Sequence, residues 1–180
     1  MVEFNKPVIY YDGDAFPFGD REFDYVICSH VLEHVEDPEK FLQELVRVAP
    51  RGYIEFPTVY YEYLYNFREH LNLVLHKDGE LLWMPKCETR LCEFDPIQQF
   101  LRATLESGHD DMIQTMKESF FQGLEWSESI RAKRVNELSQ LIPSMVELQE
   151  RRVSAETHSR RRRVGDIWRS LWQRIERFRS

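Results

Sequence analysis

Two histidines and a glutamate in the order His30-x-x-Glu33-His34 follow directly on Ser29 and concentrate reactive groups in one short run. A neutral imidazole accepts a proton near pH 7 and also ligates divalent metals, and a neighbouring carboxylate supports either task. On a helix, His30 and His34 would stand one turn apart on the same face and could share a zinc ion, with Glu33 as general base. In a loop, His34 instead serves as a general base toward a hydroxyl, or is a hydrogen-bonded histidine under the edge of a sheet. Further along, Tyr60, Tyr61, Glu62 and His70 lie in an aromatic-dense segment and are candidates for holding an acceptor, although packing accounts for the aromatics equally well.

The elements that must position these groups favour the loop. Residues 25–28 (Tyr-Val-Ile-Cys) are an unbroken apolar, β-favouring run, which predicts a strand buried on both faces of a parallel sheet. Ser29 and His30 then sit at its carboxyl end, where open α/β sheets bind ligands. A helix begins after Asp37 as N-cap, with Pro38 first and Glu39 in the first turn. Phe41, Leu42, Leu45, Val46, Val48 and Ala49 give it one apolar face, while Glu44 and Arg47 are expected to look outward. Pro50-Arg51-Gly52 ends the helix, and residues 53–56 form the next strand, completing one right-handed βαβ crossover. The His30-x-x-Glu33-His34 run matches the H-x-x-E-H motif of inverted zinc peptidases, but it follows a strand and precedes the helix start, so that reading is remote.

A resemblance adds to this. Asp14-Ala15-Phe16-Pro17-Phe18, Phe23-Asp24, Val31-Leu32-Glu33-His34-Val35, Asp37-Pro38, Arg47-Val48 and Pro50-Arg51-Gly52, in this order, resemble the second half of a class I S-adenosylmethionine-dependent methyltransferase of the type 11 kind. The likeness covers residues 8–57 and weakens toward residue 86. It implies a partial Rossmann-like α/β sheet with an antiparallel hairpin, S-adenosylmethionine as cofactor, and methyl transfer to oxygen of a small molecule or of an envelope glycan or lipid-linked sugar. By the same resemblance Asp14 accepts from the adenine amino group with Ala15 beside it, Ser29 and His30 line the cofactor rim, and His34 takes the acceptor's proton. Glu33 and His34 also resemble part of the divalent-metal site of quinone-biosynthesis O-methyltransferases. Those enzymes place an acidic residue where His30 stands, so no metal is expected on that ground.

The family's glycine-rich loop and ribose-binding acid have no counterpart in residues 1–10, which contain no glycine. The sequence therefore reads as a truncated methyltransferase or a reduced relative, and the alternative to an enzyme is a non-catalytic methyltransferase-like scaffold serving a partner subunit. A strand expected at residues 8–11 would be an outer strand, separated from residues 25–28 by two missing strands. Direct pairing, a partner chain or a second copy would have to close that gap.

Composition bounds the rest. The chain has 180 residues and a net charge of −7, but residues 151–180 hold ten Arg against Glu156, Asp166 and Glu176, leaving −14 on residues 1–150. An acidic body repels nucleic acid phosphates and disfavours DNA or RNA as its substrate. Cys28, Cys87 and Cys92 are odd in number and read as reduced thiols, fitting a cytoplasmic protein. Leu71 to Met84 reads as a hairpin turning at Lys77-Asp78-Gly79-Glu80, and Asp95-Pro96 starts a helix running to Ser107-Gly108. Residues 109–121, 127–141 and 144–157 read as further helices. The expected organisation is a methyltransferase-like α/β domain over 1–93, a helical extension over 94–158 and a basic amphipathic helix over 159–180. That last helix carries a seam of Val164, Trp168, Leu171, Ile175 and Phe178, which docks on the acidic body or a second copy, or lies peripherally on an anionic membrane surface.

Overall fold

A computed structural model of the chain describes residues 8–11 and 15–143. Its first regular unit is the crossover that the sequence predicts. Strand β1 (Val26–Ser29) leads through a 3-10 turn, Leu32–His34, into helix α1 (Pro38–Val48), which returns the chain to β2 (Arg51–Pro57). The Asp37 carboxylate caps α1 by accepting from Lys40 N at 3.0 Å, with Pro38 in its first turn. β1 and β2 pair in parallel, Val26 opposite Gly52 and Ser29 opposite Glu55.

Phe41, Leu42, Leu45 and Val48 form the buried face of α1. Phe41, Leu42 and Leu45 share a core with Cys28, Ile54, Phe56 and Trp126 of one sheet and Val74, Leu81 and Trp83 of the other. Each such side chain contributes roughly 1.5–3 kcal/mol on burial. Glu44 and Arg47 do more than face solvent. Glu44 accepts from Phe16 N at 2.7 Å, and Arg47 reaches the Phe18 carbonyl at 2.8 Å, the Phe16 carbonyl at 3.1 Å and the Asp20 carboxylate at 2.9 Å. This clamp seats the Phe16 ring edge-on against Phe41.

Two of the expectations for the leading strands are corrected. The strand runs from Val26 to Ser29, one residue later than read, and it is not buried on both faces: Ile27 is 70% exposed and only Cys28 is buried. The reason is position, because β1 is the edge of a three-stranded sheet ordered β1-β2-β5 and α1 covers one side only. Residues 8–11 form no strand; Val8 and Tyr10 are 73% and 91% exposed.

After β2, helix α2 (Val59–Tyr65) ends on Asn66 in the left-handed conformation. The hairpin of β3 (Asn72–Lys77) and β4 (Glu80–Pro85) forms as the sequence predicts, because Asp78 and Gly79 both adopt positive φ (52° and 74°), as a two-residue hairpin turn requires. It does not join the first sheet. It belongs to a second one, ordered β3-β4-β6, in which β6 (Ala132–Arg134) runs parallel to β4.

Helix α3 (Asp95–Glu106) starts and stops where its proline and glycine predict, with Gly108 at φ 81°. The following region is not all helical. Two short helices, α4 (Asp111–Thr115) and α5 (Lys117–Phe120), are succeeded by strand β5 (Phe121–Ser127), then β6 and a 3-10 turn at Leu138–Leu141. Antiparallel pairing with β2, from Arg51 opposite Ser127 to Pro57 opposite Phe121, sets a strand between the helices read at 109–121 and 127–141, and β6 and the 3-10 turn stand where the second was read. Met1–Ile142 form one compact unit, and the helices read at 144–157 and 159–180 lie outside the described residues. No helix among the described residues is long and apolar enough to cross a membrane.

The β1–β2 pair tolerates no side chain at Gly52, where a Cβ would lie 2.4 Å from the Val26 carbonyl oxygen. Gly52→Ala is expected to force these strands apart and to lower unfolding free energy by about 1–3 kcal/mol, read from the urea midpoint.

Candidate functional site

At the end of β1 the chain turns through His30, whose φ of 55° is left-handed, and His30 N still donates to the Glu55 carbonyl at 2.9 Å. This conformation sets the imidazole between two carboxylates. Nε2 lies 3.2 Å from Glu55 Oε1 and Nδ1 lies 3.4 Å from Glu33 Oε1. Burial pulls the imidazole pKa down, but the contacts with Glu33 and Glu55 outweigh it and raise the value to about 9. Glu55 also accepts from Ser29 Oγ at 3.2 Å and from the Tyr53 hydroxyl at 2.8 Å. The expected rim residues Ser29 and His30 are therefore both turned onto Glu55. Ala15 is exposed in a bend, and Asp14 lies outside the described residues.

The 3-10 turn that follows buries Glu33 completely and leaves His34 exposed. Neither carboxylate oxygen of Glu33 accepts a hydrogen bond. His34 Nδ1 stands 2.8 Å from the Glu69 carbonyl oxygen, which can only accept, so Nδ1 carries the proton and Nε2 keeps its lone pair. The His70 ring stands edge-on to His34, with centroids 4.6 Å apart. Its Nδ1 donates to Glu62 Oε1, and Glu62 Oε2 accepts from Lys86 Nζ at 3.1 Å; Lys86 also donates to the Phe67 carbonyl. One ring nitrogen from each of His34 and His70 and one carboxylate oxygen of Glu33 lie within 4.8 Å of one another, a set able to hold a metal ion. His70 and Lys86 continue into the wall of a cavity of about 660 Å³, which Asn66, Arg68, Asn72 and Cys87 also line.

Of the acceptor-side candidates, Glu62 and His70 come together and the tyrosines do not join them. Tyr61 is buried in an aromatic cluster, stacked on Phe67 at 5.7 Å and tilted against Phe121 at 5.0 Å. Tyr60 packs against the apolar clusters on either side of α2. No α-helix spans the H-x-x-E-H run: His30 precedes the 3-10 turn and faces Glu55 while His34 faces Glu69, so the two histidines do not share one helix face as a zinc peptidase would require. Glu55 and Lys86 are site residues that sequence reasoning missed. Glu55 carried a signal, since it is a charge between Ile54 and Phe56 in a strand; Lys86 carried none.

Removing the imidazole of His30 leaves Glu33 and Glu55 facing each other without a counter-charge. His30→Ala is expected to cost about 2–4 kcal/mol in a denaturant melt, somewhat below the figure for a fully enclosed pair. Burial, then the charge of Glu33, pushes the Cys28 thiol up to about 12, whereas Cys87 is exposed. In native protein treated with iodoacetamide at pH 8, peptide mapping is expected to find Cys87 labelled and Cys28 labelled at least ~100-fold more slowly.

Comparison with known proteins places a family on part of this structure. Residues 3–56 match the model of a methyltransferase domain. An ajmaline N-methyltransferase of Rauvolfia serpentina is 50% identical over 42 residues, 22% of this chain and 14% of the relative. A norajmaline N-methyltransferase of the same plant is 48% identical over 42 residues, again 22% and 14%. An uncharacterized protein of Methanocaldococcus jannaschii is 44% identical over 45 residues, 25% of this chain and 22% of the relative. The chain thus spans less than a quarter of the length of these curated relatives, and no solved structure matches it. The matched segment takes in β1, the 3-10 turn, α1 and nearly all of β2, and with them Ser29, His30, Glu33, His34 and Glu55, whereas Glu62, His70 and Lys86 lie beyond it. Over residues 3–56 the chain is similar to a methyltransferase domain.

Proposed function

We propose that this chain serves a S-adenosylmethionine-dependent methyltransferase as the part that holds the methyl acceptor, and that the acceptor is a hydroxyl of a small molecule or of an envelope glycan or lipid-linked sugar. The observation that carries the reading is the meeting of His34, inside the methyltransferase-like segment, with His70 on the wall of the 660 Å³ cavity. A cavity of that size suits a small acceptor or the end of a larger one. A hydroxyl that gains a methyl group must give up its proton, and the Glu33–His34–His70 cluster is the nearby group of acceptors, with His34 its exposed member.

The described residues fit the acceptor side of such a reaction, and the cofactor contact left to this chain, Asp14, lies outside them. The side chains of Ser29 and His30 are occupied by Glu55, and Ala15 is exposed in a bend that offers no cradle. S-Adenosylmethionine, when bound, would supply the methyl group, and this chain's residues orient the acceptor and take up its proton. A second reading, a nitrogen acceptor, is favoured by the names of the two plant relatives.

The test uses the full chain, S-adenosylmethionine labelled in its methyl group, and small-molecule and lipid-linked glycan fractions as acceptors. We expect calorimetric binding of S-adenosylmethionine in the micromolar range and label transferred to product, with His34→Ala reducing transfer roughly 10²–10⁴-fold. Product NMR then separates O-methyl from N-methyl. Absence of both binding and transfer would sink the enzymatic reading and leave a methyltransferase-like scaffold that serves a partner subunit.

A further inference from the structure

We infer that Glu33, His34 and His70 form a binding site for one divalent transition-metal ion, with Zn²⁺ as the probe. The three donor atoms already lie within 4.8 Å of one another although they come from two separate stretches of chain, the 3-10 turn after β1 and the loop after α2. Glu33 is fully buried, yet both its carboxylate oxygens go without a hydrogen-bond donor. The ion pair with His30 at 3.4 Å answers charge on the Oε1 side only. A buried carboxylate left this bare is costly unless a cation coordinates it.

The histidines are prepared in the way that metal ligands are. Each spends Nδ1 on an oxygen acceptor, the Glu69 carbonyl for His34 and the Glu62 carboxylate for His70, which fixes the tautomer and leaves the Nε2 lone pair. Glu62 is in turn held by Lys86, so the support is two residues deep on the His70 side. Access exists as well, since His34 is exposed and His70 lines the cavity, where open coordination positions would face.

Two imidazoles and one carboxylate suit zinc, manganese, iron or cobalt rather than calcium or magnesium, which take oxygen donors. Donors around one zinc ion stand about 3.4 Å apart. The cluster must therefore contract on binding, and the exposed His34, pivoting on its bond to the Glu69 carbonyl, is the member placed to move inward. His30, which the H-x-x-E-H spacing would have enlisted, is not the third ligand because it faces Glu55; His70 takes that place. Ion binding does not depend on methyl transfer. Where both hold, Glu33, His34 and His70 would hold the ion, the ion would lower the pKa of an acceptor hydroxyl, and the proton would pass to solvent at the cavity mouth rather than to His34.

The experiment titrates the full chain, stripped with EDTA and dialysed, with Zn²⁺ by calorimetry and with Co²⁺ by visible absorption. We expect one ion per chain. His34→Ala, a change at an exposed position, and Glu33→Gln should each weaken binding by more than the roughly 10–100-fold that loss of a supporting residue costs. Circular dichroism of His34→Ala shows whether the fold is retained. No saturable binding of either ion to the wild-type chain overturns the inference, and so does binding that survives both His34→Ala and His70→Ala, which would place the ion elsewhere. Failure to bind S-adenosylmethionine while zinc binding persists counts against the methyltransferase reading alone.

Discussion

The Glu62 carboxylate, buried completely in α2, is the constraint on which the rest of the site depends. An ionised group with no access to water has to be answered on both oxygens, and here the answers come from His70 on one side and Lys86 on the other. Lys86 follows directly on β4 and His70 precedes β3, so this one carboxylate pins the base of the hairpin to the helix that leaves the first sheet. Further bonds extend the same junction: Leu71 N donates to the Glu33 carbonyl at 2.7 Å, Lys86 N to the Leu71 carbonyl at 2.7 Å, and the Asn72 side-chain amide to the Val35 carbonyl at 2.6 Å. The site therefore sits where two small sheets are stitched together rather than on the open rim of one large sheet.

A second set of charges continues from that junction toward β2. Glu33, His30 and Glu55 alternate in sign, and the middle member is held in a backbone conformation that costs a non-glycine residue energy. Buried ion pairs seldom add net stability over apolar packing of the same volume. A chain that keeps three ionisable groups in its interior, one of them in a left-handed turn, is carrying an arrangement that packing alone does not ask for.

The local grammar of this fold was open to reading and its long-range pairing was not. Asp37-Pro38, Asp78-Gly79 and Asp95-Pro96 each announce an element through short-range chemistry, and each element is where that chemistry places it. Strand β5 fell in the gap between the helices read at 109–121 and 127–141, because only contact with β2, distant in sequence, sets residues 122–126 into a strand. Burial of residues 25–28 was misjudged for a related reason: an apolar run says that a strand forms, not whether a second layer covers Ile27. Within the site, the His30 to His34 run was visible as reactive chemistry, but its partners were not. Glu62 and His70 were singled out only as part of an aromatic stretch, and nothing near Lys86 hints that its ammonium is enclosed.

The pairing of β2 with β5 also bears on how the nascent chain acquires its shape. The hairpin, α3 and two short helices all intervene, so the central strand of the first sheet leaves the ribosome well before its antiparallel neighbour exists. At translation speeds of roughly 5–20 residues per second, that delay lasts seconds, during which an apolar edge containing Ile54 and Phe56 has no complement. Such non-local closure makes for slow folding. It also makes the half-synthesised protein, rather than the finished one, the form most in need of chaperone cover.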